Sequence, residues 1–193
     1  LWFRAEPDSG NPTAKEKRFM EFIEHTVAWC RGEIFEGRVL ALFGAVVVMA
    51  ALVFWKFGST PSARAMFIPL LAVGALALIV GLSMNFNNQA RIPKYSAAYQ
   101  QDATAFMESE RKRTEDFIRW YPITMASFSV IALLGCAVYF FRPTPTGRAI
   151  GLATLLLSLA VLFLDHFSEE RAATYHDAIS QALEGATPTP QDD

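Results

Sequence analysis

Four blocks of apolar residues, 39–57, 66–84, 123–141 and 149–164, alternate along the chain with charged stretches in which apolar residues recur at three- and four-residue steps. Each block is close to the length that crosses a bilayer, and within them only Lys56, near an end, carries a full charge. Buried helices of a soluble bundle would keep polar faces, which these blocks lack. The last block runs on without a helix breaker into Asp165-His166-Phe167-Ser168-Glu169-Glu170-Arg171. Read as one helix to Leu183, about 35 residues at about 1.5 Å each exceed a hydrocarbon core of roughly 30 Å, so its last third stands in water.

The stretch 15–38 has Phe19, Phe22, Ile23, Thr26, Cys30 and Ile34 at helical steps with charges between them, which predicts an amphipathic helix weakened at its end by Gly32 and Gly37. A second such stripe, Phe106, Met107, Thr114, Phe117, Ile118 and Tyr121, predicts a helix over 102–120 whose solvated face carries Glu108/Lys112 and Arg111/Glu115 pairs. Two tight connections, Gly58-Ser59-Thr60-Pro61-Ser62-Ala63-Arg64 and Pro143-Thr144-Pro145-Thr146-Gly147-Arg148, are too short to join anything but antiparallel neighbours. Pro93 is expected to kink or break the helix leaving the second span.

These signals divide the chain into an extended arm (1–14), an amphipathic helix (15–38), a transmembrane hairpin (39–84), an amphipathic middle segment (85–121), a second hairpin (122–164), a helical extension (165–184) and a flexible tail (185–193). The hairpins resemble each other. Thr60-Pro61 with Arg64-Ala65 matches Thr144-Pro145 with Arg148-Ala149 at an offset of 84, and Asn85, Arg91, Tyr95 and Ala98 match Asp165, Arg171, Tyr175 and Ala178 at an offset of 80. Two spans per copy would relate the copies by an axis along the membrane normal. The fold expected is an all-α membrane protein with four transmembrane helices as two duplicated hairpins and amphipathic helical extensions on the cytoplasmic side.

Charge supplies the orientation. Arg31, Arg38, Arg91, Lys94 and the 111–113 cluster outnumber Lys56, Arg64, Arg142 and Arg148 near the hairpin turns, which predicts both termini in the cytoplasm of a cell-membrane protein. No basic, apolar and small-residue succession precedes residue 39, so the first span is expected to be retained. The net charge of −2 and the interleaving of bases with acids give no nucleic-acid surface. Cys30 and Cys136 read as small apolar residues.

Candidate chemistry is sparse. Asp165 directly follows an apolar run and is the deepest acid, a position that can belong to an ion path, although its counterpart is the neutral Asn85. Arg91/Tyr95 and Arg171/Tyr175, each four apart, place a guanidinium near a ring outside the membrane, suited to interfacial anchoring or to an anionic lipid headgroup. Glu21-x-x-Glu24 and Glu33-x-x-Glu36 supply carboxylates, but no Glu is followed three residues later by His, and His25, His166 and His176 share no ligand spacing. No phosphate loop or nucleophile motif is present. The sequence therefore predicts no cofactor and no metal. It points to a non-enzymatic protein of the lipid bilayer acting in assembly, as an accessory subunit or scaffold that binds a membrane-protein partner or itself. The alternative is a small channel or transporter with a path between the hairpins.

Overall fold

The computed structural model describes residues 14–184, with side chains described from Phe22 onward. The tail expected at 185–193, and all but the last residue of the arm at 1–14, lie outside the described residues. Four helices fill the range: α1 (Ala14–Phe57), α2 (Pro61–Gln101), α3 (Ala103–Phe141) and α4 (Pro145–Glu184). At 39 to 44 residues they are each about 60 Å long, roughly twice a hydrocarbon core. All four contain a stretch long and apolar enough to cross a membrane.

Several boundaries differ from those the sequence predicts. The helix expected at 15–38 and the first span form one rod, unbroken at Gly32 and Gly37. The middle segment is divided between the end of α2 and the start of α3, whereas the extension at 165–184 continues the last span as one helix, in line with the unbroken run to Leu183. Pro93 does not break α2, which runs on to Gln101. The proline and Gln89, whose carbonyl loses its helical partner, are both exposed, so water can take that bond. The break falls instead at Asp102. Its backbone N–H closes α2 on the Ala98 carbonyl at 3.1 Å, and its side chain accepts from Ala105 N at 3.0 Å to cap α3.

The two hairpin turns are built alike. Thr60 Oγ1 accepts from Ala63 N at 3.2 Å and Thr144 Oγ1 from Gly147 N at 3.1 Å, each just ahead of a proline that opens the next helix. On the incoming side, Gly58 N donates to the Phe54 carbonyl and Arg142 N to the Val138 carbonyl, both at 3.0 Å.

Within the membrane halves, glycine sets how closely the helices approach. A Cβ on Gly74 would stand 2.7 Å from Val48 N, and one on Gly81 would stand 2.6 Å from the Gly37 carbonyl oxygen, so the α1 and α2 backbones touch. Gly151 does the same for α3 and α4, where a Cβ would lie 2.7 Å from the Gly135 carbonyl oxygen. The hairpins then meet chiefly through α2 and α4, with α1 also reaching α4, while the backbones of α1 and α3 do not approach one another among the described residues. Val47, Ala51, Leu70, Val73 and Ala153 fill the seam. α3 is left at the edge: only 6% of its most apolar stretch is buried, against 22–28% for the other three helices.

Outside the membrane halves, the helix ends cover one another. Phe22, Trp29 and Cys30 of α1, Tyr99 of α2, Phe106 and Met107 of α3, and Tyr175 and Ile179 of α4 form a single core. Phe22 stacks on Tyr99 at 5.1 Å and Trp29 on Tyr175 at 5.5 Å between centroids.

The glycine contacts make a prediction about stability. Gly81→Ala should lower the melting temperature in detergent by several degrees, because overpacking of about 1–3 kcal/mol against rigid backbone exceeds the gain of about 1 kcal/mol from helix propensity. Gly135→Ala should be close to neutral, since its Cβ would meet nothing nearer than 3.1 Å.

Candidate functional site

Two polar clusters interrupt the apolar packing, and they sit one above the other along the extramembrane bundle. The outer one begins with Glu110, which is 4% exposed and can remain charged there only if paired. Arg113, one turn on, grips it with both ends of its fork: Nε donates to Oε1 at 2.9 Å, and Nη2 donates to Oε2. The guanidinium plane then lies over Trp29 at 4.5 Å and Phe117 at 5.1 Å. Burial opposes the arginine charge, but the Glu110 carboxylate outweighs it and raises the pKa of Arg113. Tyr175 closes the cluster from α4, its hydroxyl 3.1 Å from Thr26 Oγ1 and donating to Glu110 Oε2 at 3.4 Å. Burial pushes the Tyr175 hydroxyl upward and the Cys30 thiol up to about 11, so both stay protonated at neutral pH.

The inner cluster lies where α1 and α4 enter the span. Arg171 Nη2 is 2.6 Å from Glu36 Oε1 and 3.4 Å from Glu33 Oε1. Ser168 Oγ donates to Glu33 Oε1 at 3.3 Å and is 2.8 Å from the Tyr121 hydroxyl. Gly32 makes room for this arrangement, because a Cβ there would stand 2.6 Å from Arg171 Nε. The side chain of Glu36 is only 8% exposed. Burial raises its pKa, and the neighbouring Arg171 offsets that only in part. Its two oxygens, Arg171 Nε and Asp165 Oδ2 are buried without a hydrogen bond of good geometry. An open groove of about 530 Å³ runs from Glu36 and Arg171 along the membrane halves of α1 and α4, walled by Leu40, Phe43, Leu159 and Phe163.

The residues singled out in the sequence fall in different places. Arg171 and Asp165 belong to the inner cluster, where Asp165 acts electrostatically on Glu36. Tyr175 turns away from Arg171 into the outer cluster. Arg91 bonds to Asn88 Oδ1 at 3.2 Å, and Tyr95 packs its ring on Phe106 and below Arg113. Asn85 is bonded to Gln89 one turn along α2. Thus neither Arg/Tyr pair works as a unit. The sequence reading passed over Glu110, Arg113, Trp29 and Tyr121 as site residues and weighed Glu33-x-x-Glu36 only as metal ligands. A signal for the inner site was present: two acids three apart on a helix just ahead of a span, bracketed by Gly32 and Gly37. Among the described residues no group of three or more His, Cys, Asp or Glu side chains is placed to hold a metal ion.

Both clusters can be tested by substitution. Arg113→Met should cost about 3–5 kcal/mol by leaving Glu110 buried and unpaired, and the double variant Arg113→Met/Glu110→Met should recover most of that loss. Melting of the four-member cycle reads the coupling, which vanishes if the pair is solvated. At Glu36 the sign is reversed. A raised carboxyl pKa means the native state binds more protons than the unfolded state from the ordinary value of 4.5 upward, so stability falls as pH rises through that window. In detergent stripped of phospholipid, Glu36→Gln should match or exceed the native chain's stability at pH 7 and lose that advantage below about pH 4. A variant clearly less stable at pH 7 would show that Arg171 dominates instead.

No family model, curated protein or solved structure matches the chain, so the site is read from its own geometry.

Proposed function

We propose that the protein acts in assembly within a cell membrane, as an accessory subunit or scaffold that engages a membrane-protein partner or a second copy of itself. The carrying observation is the exposure of the α3 span. Val130, Leu133 and Leu134, at helical steps on one face, are 55%, 70% and 59% exposed, while the seam between the hairpins is filled by alanine, valine and leucine. A span that packs chiefly on α4 and leaves its outer face uncovered is arranged for lateral contact. A solute path between the hairpins would need polar lining where Ala51, Leu70, Val73 and Ala153 now meet.

We also read the chain as a duplication. The matching turn caps support it, and so do the pairs at an offset of 84 in α1 and α3: Phe22 with Phe106, Thr26 with Glu110 and Cys30 with Thr114 are buried in both copies. At an offset of 80 in α2 and α4, Tyr99 and Ile179 are both buried. The second copy is shorter by about one helical turn. The extramembrane bundle would lie in the cytoplasm by the excess of basic residues on its side.

Three experiments test these readings. Purified in mild detergent, the native chain should run as a defined assembly, and Val130→Trp/Leu133→Trp should reduce it to a monomer of unchanged melting temperature. Liposomes holding the protein should conduct no ion or solute, and Asp165→Asn should change nothing. Flux that Asp165→Asn abolishes in a folded protein would replace assembly with transport. For orientation, in a Cys30→Ser/Cys136→Ser background, an impermeant thiol reagent should reach Ser59→Cys and Thr146→Cys in intact cells but Ser109→Cys and Ser180→Cys only after permeabilisation. The opposite pattern inverts the topology.

A further inference from the structure

Each hairpin leaves one outer face uncovered. On α1 that face carries Val39, Leu42, Val46 and Met49, and at the offset of 84 these correspond to the equally exposed Ile123, Ala126, Val130 and Leu133 of α3. The α3 side adds hydroxyls to this surface: where α1 has Phe43 and Ala45, α3 has Ser127 and Ser129. Both serines are exposed, and among the described residues neither hydroxyl bonds to any group of the chain. Thr124 and Ser158, in the same hairpin, return theirs to the Tyr121 and Thr154 carbonyls at 3.0 and 2.9 Å. A hydroxyl left unpaired in hydrocarbon carries a cost that an apolar side chain at the same place does not.

Of the two serines, Ser127 lies on the line along which another helix can pack. Trp120, Ile123, Ser127, Val130, Leu134 and Phe141 fall on a 3.5-residue period and are all exposed, whereas Ser129 lies off that line. The membrane restricts what can cover it. Every copy of the chain crosses the bilayer in one orientation, so two copies meeting through α3 run parallel about an axis along the membrane normal. Each residue near that axis then faces its own counterpart at the same depth. Such an interface requires groups that complement themselves. Apolar side chains do, like charges do not, and the line from Trp120 to Phe141 carries no charge. Serine is the polar group that fits, because one hydroxyl both donates and accepts. Beyond the membrane, the exposed part of α3 mixes Arg111, Lys112 and Arg119 with Glu115 and Asp116, so neither sign gathers there to drive two copies apart. A different membrane protein would have to present an acceptor at one fixed depth, which a second copy does by symmetry.

We propose that the α3 face is closed by the α3 face of a second copy of this chain, in a parallel two-fold dimer with one Ser127 hydroxyl donating to the other. The dimer rests on the reading of α3 as the face of assembly and names its partner.

Disulfide cross-linking of the full chain in its own membrane tests it, in a Cys30→Ser/Cys136→Ser background. Oxidation should link Ser127→Cys, Val130→Cys and Leu134→Cys chains into dimers, and should leave Ser129→Cys and the α1 variant Val46→Cys largely unlinked. In detergent, Ser127→Ala should weaken dimerisation by about threefold to tenfold at unchanged melting temperature, and Ser129→Ala should not. Dimers linked only through Val46→Cys, α3 cysteines linked only to another protein, or a Ser127→Ala chain that dimerises as tightly as the native one would each overturn the proposal and leave assembly standing. A chain that links to nothing in the membrane and is monomeric in detergent would overturn both.

Discussion

Each helix of this protein holds a stretch long and apolar enough to cross a membrane and is about twice as long as a hydrocarbon core, and that mismatch governs the rest of the structure. A rod of this length has two solvents. In hydrocarbon, its apolar side chains gain nothing by leaving lipid, so helices associate by close backbone approach, and glycine provides it at Gly44/Gly74, Gly37/Gly81 and Gly135/Gly151. Beyond the membrane the hydrophobic effect returns, and Phe22, Trp29, Tyr99, Phe106, Tyr175 and Ile179 must be covered. The four helix ends cover each other, so the same rods that are paired by glycine at one end are bound into a bundle of four at the other.

Polar groups fix how those ends are arranged. Glu110 and Arg113 lie on one helix, yet their pair is completed by Trp29 of α1 beneath the guanidinium and Tyr175 of α4 at the carboxylate, so it holds three helices in one rotational setting. Aromatic packing alone would tolerate small slippage, whereas a buried ion pair with directed partners tolerates little. The inner cluster extends that constraint to the membrane boundary through Glu33, Tyr121, Ser168 and Arg171. It is satisfied less completely, which is where the structure departs from what stability alone asks.

Much of the architecture could be read from the chain because long apolar blocks, Thr-Pro turns and helical stripes each have a local physical cause. The four spans and the antiparallel pairs follow directly. Other positions depend on tertiary contacts that the local cost of a residue does not contain. Gly32 and Gly37 read as weak points of a helix, but one gives space to Arg171 and the other to the α2 backbone, gains that only tertiary contact reveals. Pro93 read as a kink or a break, and no break follows because the carbonyl that loses its partner lies on exposed surface. Periodicity found the faces carrying Cys30 and Thr114, but it sorts side chains by polarity, so Glu110 and Arg113 fall outside the apolar stripe. Their burial depends on Trp29 and Tyr175 arriving from elsewhere in the chain. Arg171 and Tyr175 pair with each other by their i, i+4 spacing in the sequence, yet their partners lie on α1 and α3, beyond the reach of such an argument.

The account depends most on the extramembrane helix ends being a covered core rather than solvated extensions. Hydrogen exchange on the full chain in lipid nanodiscs measures this directly. The account predicts that the amides of α4 around Ala172, Tyr175 and Ile179 exchange as slowly as those beside Gly74 within the membrane, and that they open together with the amides of α1 around Thr26 and of α3 around Glu110. Exchange of the α4 end within seconds, while α1 and α3 remain protected, would contradict it.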